Sequence, residues 1–151
     1  MDVINKFQSF YSDLASMKVE DLSSIYSENV TFIDPVTTHS GITSVESYFS
    51  NLLQDTKYCI FTINAIESTS SIEDQDANKV DKLSYMVTWV MTFSSPRLNS
   101  GAPINVDGIT QLIVENNKIS YHRDYYDLGQ MVYENVPLLG WIIKRIKRRL
   151  A

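Results

Sequence analysis

The fold is most readily inferred from residues 22–41, which have the sequence LSSIYSENVTFIDPVTTHSG. A short helix is predicted to end at Tyr26. A short strand is predicted over Val30–Asp34, and Pro35 stops it because proline cannot donate a hydrogen bond to a sheet. A loop at residues 39–41 then leads into another helix. The segment is therefore predicted to form a short strand between two helices.

Periodic patterns on both sides of this segment complete the prediction. Apolar residues recur at helical spacing in residues 2–16, in residues 19–26 and from Thr43 or Ser44 to Leu53. Strands are predicted over 57–68, 80–94, 104–115 and 118–127, with an exposed hairpin loop over 69–79 and a two-residue turn at Asn116–Asn117. A terminal helix is predicted over 138–150. Helices followed by strands with short connections predict an antiparallel α+β domain. The length of 151 residues fits one domain over 1–151.

Composition and charge exclude several classes of function. The net charge is −5, but five of the thirteen basic residues lie in 144–149, so the rest of the chain carries about −10 and is a poor match for nucleic acid. The single cysteine, Cys59, cannot form an intramolecular disulfide. The two histidines, His39 and His122, form no metal-type spacing, and no glycine-rich phosphate loop is present, so neither a metal nor a cofactor is predicted. The N-terminal residues MDVINKFQSF lack a signal-peptide pattern, which predicts a cytoplasmic protein.

Two segments together resemble a known superfamily. Residues 22–41, with a helix ending in Tyr, a strand ending in Asp-Pro and a following Gly, are similar to the start of a nuclear transport factor 2-like domain. Residues 115–127, ENNKISYHRDYYD, resemble the last strand of that superfamily, which includes ketosteroid isomerases, SnoaL-like polyketide cyclases and limonene epoxide hydrolases. The resemblance implies a cystatin-like cone: a strongly curved antiparallel or mixed sheet wrapped around N-terminal helices, with a C-terminal amphipathic helix. It also implies a pocket for a small apolar molecule and a homodimer formed through the exposed sheet face.

Asp34 is the first candidate catalytic residue. By resemblance to ketosteroid isomerases, the Asp of this Asp-Pro pair is a general base that moves a proton next to a carbonyl, a mechanism known from that enzyme. A carboxylate in an apolar pocket is suited to proton exchange. The alternative is that Asp34 caps a turn beside Pro35, which is a common role for Asp.

Two departures weigh against steroid isomerisation itself. Phe10 occupies the position of the isomerases' first-helix Tyr, with Tyr11 one residue away. Ile109 occupies the position of their protonated Asp, with Asp107 two residues earlier on the same strand face. The Arg-x-Asp pattern of the epoxide hydrolases is also missing from the penultimate strand.

The last strand supplies the other candidate catalytic residues. Side chains alternate along a strand, so His122, Asp124 and Tyr126 share one face, and the resemblance implies that this face meets the pocket. His122 and Asp124 are about 7 Å apart at about 3.4 Å per residue, which allows the carboxylate to orient the imidazole. The alternative is a purely structural pair. The predicted ligand-binding residues are Tyr11, Tyr85, Trp89, Asn105, Asp107 and Tyr126, with core packing as the alternative for Tyr85 and Trp89.

The terminal helix is basic and amphipathic. Trp141 flanks its apolar stripe, and most of the rest of the helix surface is occupied by Lys144, Arg145, Lys147, Arg148 and Arg149. Such a helix either makes weak contact with an anionic membrane surface or packs onto its own domain, and packing is the favoured prediction because the helix is short. Three functions stay open: an isomerase, cyclase or dehydratase; a non-catalytic binding domain for an apolar ligand; and a protein-interaction domain that dimerises through its sheet.

Overall fold

The computed structural model of the chain describes residues 2–69 and 82–151. Within these residues the α-helices are α1 (Val3–Ser12), α2 (Ile42–Leu53), α3 (Leu128–Met131) and α4 (Leu139–Leu150). The strands are β1 (Tyr26–Ile33), β2 (Thr38–Ser40), β3 (Tyr58–Thr69), β4 (Leu83–Ser94), β5 (Ile104–Glu115) and β6 (Lys118–Tyr126). Short 3-10 helices lie at Leu14–Ser16, Val19–Ser24, Asn99–Gly101 and Tyr133–Asn135. Apart from Thr69, the hairpin loop predicted over 69–79 lies outside the described residues.

All six strands form one open, mixed sheet in the order β2-β1-β6-β5-β4-β3. Every neighbouring pair is antiparallel except β1 and β6, which run parallel with Phe32 opposite His122 and Ile33 opposite Arg123. This architecture confirms the predicted α+β class and the curved, mixed sheet. The parallel pair matters for the site because Asp34, the next residue of the chain, comes level with Asp124.

The core lies between the inner face of the sheet and the helices α1 and α2, which contact β3 and β1 respectively. Strand alternation sends Val87, Trp89, Met91 and Phe93 of β4 into this core. Opposite Trp89 in the sheet is Gly108, and a Cβ atom there would lie 2.1 Å from the indole ring. The glycine therefore makes room for the tryptophan on the inner face.

Two local predictions near Tyr26 are wrong. The segment predicted as a helix over 19–26 is a 3-10 helix that ends at Ser24, and Tyr26 begins β1. The predicted loop at residues 39–41 is largely the strand β2. In both cases sheet pairing overrides the local pattern: the Ile119 amide donates to the Ile25 carbonyl at 2.9 Å, and β2 pairs with β1.

The terminal helix contacts its own domain, as predicted, but not through its apolar stripe. Of the residues of α4, Gly140 is buried, while Leu139, Ile142, Ile146 and Leu150 of the apolar stripe are exposed. The helix meets the rest of the chain along its Gly140 edge, where a Cβ atom would lie 2.3 Å from the Glu134 carbonyl oxygen. Close approach at a glycine, rather than burial of the stripe, therefore determines how α4 is held.

Candidate functional site

A cavity lies between the inner sheet face and the helices. Its inner chamber has a volume of about 40 Å³, and its outer chamber has a volume of about 310 Å³. The two chambers share six lining residues, namely Tyr48, Leu52, Cys59, Met91, Tyr126 and Met131. The inner chamber is lined by two carboxylates and several aromatic rings, those of Asp34 and Asp124 and of Tyr11, Phe32, Tyr48, Phe49, Phe61, Trp89 and Tyr126. Among the described residues that line either chamber there is no Lys or Arg.

Asp34 lines the inner chamber and also holds a turn. Its Oδ1 accepts hydrogen bonds from the amides of Val36 and Thr37, at 2.8 and 2.9 Å. Its Oδ2 accepts a short hydrogen bond from the Tyr48 hydroxyl. The turn role and the pocket role proposed for Asp34 from the sequence are therefore compatible in one side chain.

Asp124 lies beside Asp34 on the neighbouring strand and is held by two donors. Its Oδ1 accepts from the Thr110 hydroxyl at 2.5 Å and from His122 Nε2 at 2.8 Å. Thr110 in turn accepts from the indole N–H of Trp89 at 2.7 Å. When Asp124 is a carboxylate it only accepts hydrogen bonds, so His122 donates to it through Nε2; in a neutral imidazole Nδ1 then accepts from the Tyr26 hydroxyl.

His122 lies behind the cavity wall rather than in it. The imidazole is fully buried, and its ring stacks on Phe32 with the ring centroids 4.2 Å apart. Nδ1 is 2.9 Å from the Tyr26 hydroxyl, which is 2.7 Å from the Tyr11 hydroxyl. A continuous hydrogen-bonded chain therefore runs from Tyr11, at the cavity, through His122 to Asp124, also at the cavity. His122 reaches the cavity only through its neighbours.

Four phenols of the site stay protonated to unusually high pH. Burial is the main cause for each, and it raises the pKa of Tyr11, Tyr26, Tyr48 and Tyr126. The hydrogen bond to Asp34 raises the pKa of Tyr48 further, and the charges of Asp34 and Asp124 raise that of Tyr126. These hydroxyls are therefore available as hydrogen-bond donors near neutral pH.

Some predicted ligand-binding residues line the cavity and others do not. Tyr11, Trp89 and Tyr126 line the inner chamber together with both aspartates. Asn105 and Asp107 are exposed on the outer face of β5, because the apolar residues of that strand occupy the inner face. Tyr85 is half-buried and packs against the core, outside both sets of lining residues. The predicted cavity positions of Tyr85, Asn105 and Asp107 are therefore corrected.

The positions that correspond to the Tyr and the protonated Asp of ketosteroid isomerases lie on α1 and β5. Ile109 and Asp107 both lie on the outer face of β5, so neither enters the cavity. Thr110, whose side chain points inward, contacts Asp124 instead. On α1, Phe10 is core and Tyr11 is the residue that lines the cavity.

Three residues of the site were missed by sequence reasoning. Tyr26 is predicted at the end of a helix, and neither Tyr48 nor Thr110 is singled out by its sequence context. A signal for Thr110 exists, since it shares its strand face with Val106 and Leu112 and is a polar residue in an apolar row. The partner of Tyr26 depends on the parallel pairing of two strands about ninety residues apart, for which the local sequence gives no signal.

His39 contacts the site through Tyr48. His39 is half-buried, and its ring is tilted by 31° against that of Tyr48 with the centroids 4.4 Å apart, so it supports the phenol that bonds to Asp34. Across residues 2–69 and 82–151 no group of three or more His, Cys, Asp or Glu side chains has an arrangement suited to a metal ion.

Solved structures with the same fold come from several bacteria. A protein with a ketosteroid isomerase-like fold from Catenulispora acidiphila, in complex with trimethylamine, has a TM-score of 0.67 and 13% identity, over 88% of this chain and 90% of that one. A nuclear transport factor 2-like protein of unknown function from Burkholderia pseudomallei has a TM-score of 0.65 and 12% identity, over 87% and 95%. An epoxide hydrolase from M. tuberculosis, similar to limonene epoxide hydrolase, has a TM-score of 0.63 and 9% identity, over 85% and 83%. Identities this low show the fold alone.

The sheet order and the helices give the cone-shaped fold of nuclear transport factor 2-like domains, as the resemblance implied. The family model for the SnoaL-like domain matches residues 7–122, so the chain belongs to the SnoaL-like domain family. A search of curated proteins finds no significant match.

Proposed function

We propose that this single SnoaL-like domain, spanning residues 1–151, is a cytoplasmic acid–base catalyst acting on a small, largely apolar molecule. One observation carries the proposal: Asp34, directly after β1, and Asp124, on the adjacent parallel strand β6, line one aromatic chamber that has no Lys or Arg among its described lining residues. Two carboxylates in a chamber lined by no described Lys or Arg are suited to take and return a proton.

The dimensions of the cavity suggest how such a molecule is bound. The inner chamber, of about 40 Å³, suits a small polar group such as a carbonyl, and the outer chamber, of about 310 Å³, suits the apolar remainder. One carboxylate removes a proton from the carbon beside the carbonyl, and the electron pair moves onto the carbonyl oxygen. A phenol such as Tyr126 donates a hydrogen bond to that oxygen. Return of the proton to another carbon completes an isomerisation, and related steps give cyclisation or dehydration.

Asp124 and Asp34 are held by different hydrogen-bond partners. Asp124 is backed by His122, which Tyr26 holds in one orientation, so His122 is a positioning residue. Asp34 is tied to its turn by two amide hydrogen bonds. Asp124 is therefore the better candidate for the group that changes its protonation state, with Asp34 as its partner.

A second candidate function is binding without catalysis. Both oxygens of Asp34 already accept hydrogen bonds from the protein, as a carboxylate with a structural role would do. In that case the apolar outer chamber holds a ligand and the acids only orient its polar end.

We also propose two contacts with partners. The outer sheet face exposes Ile60, Ile109 and Tyr125, which suits a homodimer formed through the sheet, as the resemblance implies. The basic helix α4 suits contact with an anionic membrane surface.

The catalytic proposal is tested by exchange of carbon-bound hydrogen in heavy water. A panel of cyclic and β,γ-unsaturated ketones is followed by NMR with the wild-type protein, with Asp34→Asn and with Asp124→Asn. Each substitution is expected to lower the exchange rate by roughly 10²–10⁴-fold, the usual effect of removing a positioned acid or base.

The matched control is Asp107→Asn, which removes an exposed carboxylate from the outer face of β5 and is expected to leave the rate unchanged. If ketones raise the melting temperature of the protein but no exchange is catalysed, the cavity only binds them and the catalytic proposal is wrong.

A further inference from the structure

We propose that α4 docks on an anionic membrane surface and lies in the plane of that surface. This inference rests on the membrane contact proposed above for α4 and is independent of the chemistry in the cavity. It rests on how the helix is held, on what its faces carry, and on the charge of the remainder of the chain.

The apolar stripe of α4 is exposed to solvent, whereas most aliphatic side chains of a folded protein are buried. Leu139, Ile142, Ile146 and Leu150 expose 41%, 40%, 51% and 83% of their surfaces. They recur at spacings of three and four residues, so they form one continuous apolar face. An exposed apolar face of this kind marks a surface for binding.

The way α4 is attached leaves this face free. The helix approaches the chain through Gly140, against the backbone of Glu134. Lys147 Nζ forms a short ion pair with the Glu134 carboxylate and lies 3.8 Å from Asp127 Oδ2. Both contacts lie beside the apolar stripe, so the body of the protein fixes the helix without covering it.

The rest of the surface of α4 carries the charge that an anionic surface attracts. It holds Lys144, Arg145, Lys147, Arg148 and Arg149. Within the described part of the chain, Lys147 is the one member of this set that pairs with a carboxylate. Trp141 is 56% exposed, and the Arg145 guanidinium lies 5.4 Å from its ring centroid. Aliphatic, aromatic and basic side chains in this arrangement are typical of helices that lie in a membrane interface.

Charge favours a membrane over a second copy of α4. Two copies packed through their stripes would bring five basic residues of each helix together, which is repulsive. An anionic bilayer neutralises the same charges, and the acidic remainder of the chain orients itself away from the surface.

The length of α4 determines its orientation in the membrane. A helix of twelve residues is about 18 Å long, at about 1.5 Å per residue, which is too short to cross a hydrocarbon core of about 30 Å, so it lies in the plane. Across the described residues no helix has the length and apolar character needed to cross a membrane.

The test measures binding of the full chain to phosphatidylcholine vesicles prepared with and without phosphatidylglycerol. Co-sedimentation gives the partition coefficient, and a blue shift of Trp141 fluorescence reports insertion, since Trp89 is already buried. We expect binding to the anionic vesicles, weakened by salt, and little binding to phosphatidylcholine alone. Replacement of Lys144, Arg145 and Arg148 by Gln is expected to lower the partition coefficient on the order of 100-fold.

The matched control replaces Lys6, Lys18 and Lys57 by Gln, which changes the net charge equally but leaves α4 intact, and its binding is expected to stay within about twofold of wild type. Ile142→Gln with Ile146→Gln is expected to remove the blue shift while the thermal unfolding of the body is unchanged. Equal loss of binding in the Lys6, Lys18 and Lys57 variant would overturn the proposal. So would self-association in analytical ultracentrifugation that disappears in the Ile142, Ile146 variant without any vesicle binding, because a second copy would then cover the stripe.

Discussion

His122 shows how a buried polar side chain can be fully satisfied in an aromatic core. Nε2 bonds to Asp124 and Nδ1 bonds to Tyr26, while Phe32 stacks on the ring. A buried polar group costs little when every donor and acceptor has a partner, and it is costly when one partner is lost. The stability of this region therefore depends on the hydroxyl groups of buried tyrosines, which look like ordinary core aromatic residues in the sequence.

Tyr26→Phe tests this dependence. The substitution keeps the ring and removes the hydroxyl that bonds to His122 Nδ1 and to Tyr11. Because this leaves a buried acceptor without a donor, the free energy of unfolding is expected to fall by about 1–3 kcal/mol, measured by urea denaturation.

Tyr125→Phe is the control for the Tyr26 substitution. It removes a hydroxyl from a tyrosine that is 46% exposed, so its effect is expected to stay within about 0.5 kcal/mol. Equal effects of the two substitutions would show that the hydrogen bond to His122 contributes nothing to stability.

The residues of the site were predictable to the extent that they follow strand alternation. On β6 alternation placed Asp124 and Tyr126 on the face that lines the cavity. On β5 Asn105 and Asp107 are predicted to meet the cavity, but the buried side chains of Ile104 and Val106 show that the alternate, apolar residues occupy the inner face. The depth of His122 could not be predicted, because α1 covers it through contacts distant in sequence.

At the scale of elements, the helix and strand assignments were most successful where the pattern is long. The strand predicted over 104–115 has the observed bounds of β5, whereas a loop is predicted where the short strand β2 lies. The parallel pairing of β1 with β6 had no local signal, since it joins residues near 30 to residues near 120. That pairing is what brings Asp34 level with Asp124.

The packing of β4 against β5 gives a prediction at this scale. Gly108→Ala would place a Cβ atom 2.1 Å from the Trp89 indole, so the ring must move. Because Trp89 donates to Thr110, which holds Asp124, the shift is expected to disturb the site as well as the core. A loss of about 1–3 kcal/mol in unfolding free energy is expected, with a change in Trp89 fluorescence.

Asp107→Ala is the control for the Gly108 substitution. It alters the neighbouring residue of the same strand on the exposed face, and it is expected to change neither quantity appreciably. An unchanged stability for Gly108→Ala would mean that the indole ring has free space to move into.

For the whole molecule, charge and apolar surface are distributed unevenly. The cavity presents two carboxylates in an aromatic environment, and the basic residues are concentrated in α4. The chain thus combines an acidic site inside the cone with a basic, apolar helix attached at its edge. These two features are separable by mutation, since none of the residues that line the inner or outer chamber belongs to α4.

The buried phenols predict how the whole molecule responds to alkaline pH. Burial raises the pKa of Tyr11 and Tyr26 well above the usual value of about 10 that tyrosine has in the unfolded chain. Below pH 10 both states hold these protons and stability is unaffected. Above it the unfolded chain releases them and the folded chain retains them, so the free energy of unfolding falls as pH rises. The slope approaches about 1.4 kcal/mol per pH unit for each such phenol. Tyr11→Phe is therefore expected to reduce the slope in urea denaturation, whereas Tyr133→Phe, at a residue that is 43% exposed, is expected to leave it unchanged. Tyrosinate absorbance that rises fully near pH 10, while the protein is still folded, would show that water reaches the phenols and that the core around His122 is open.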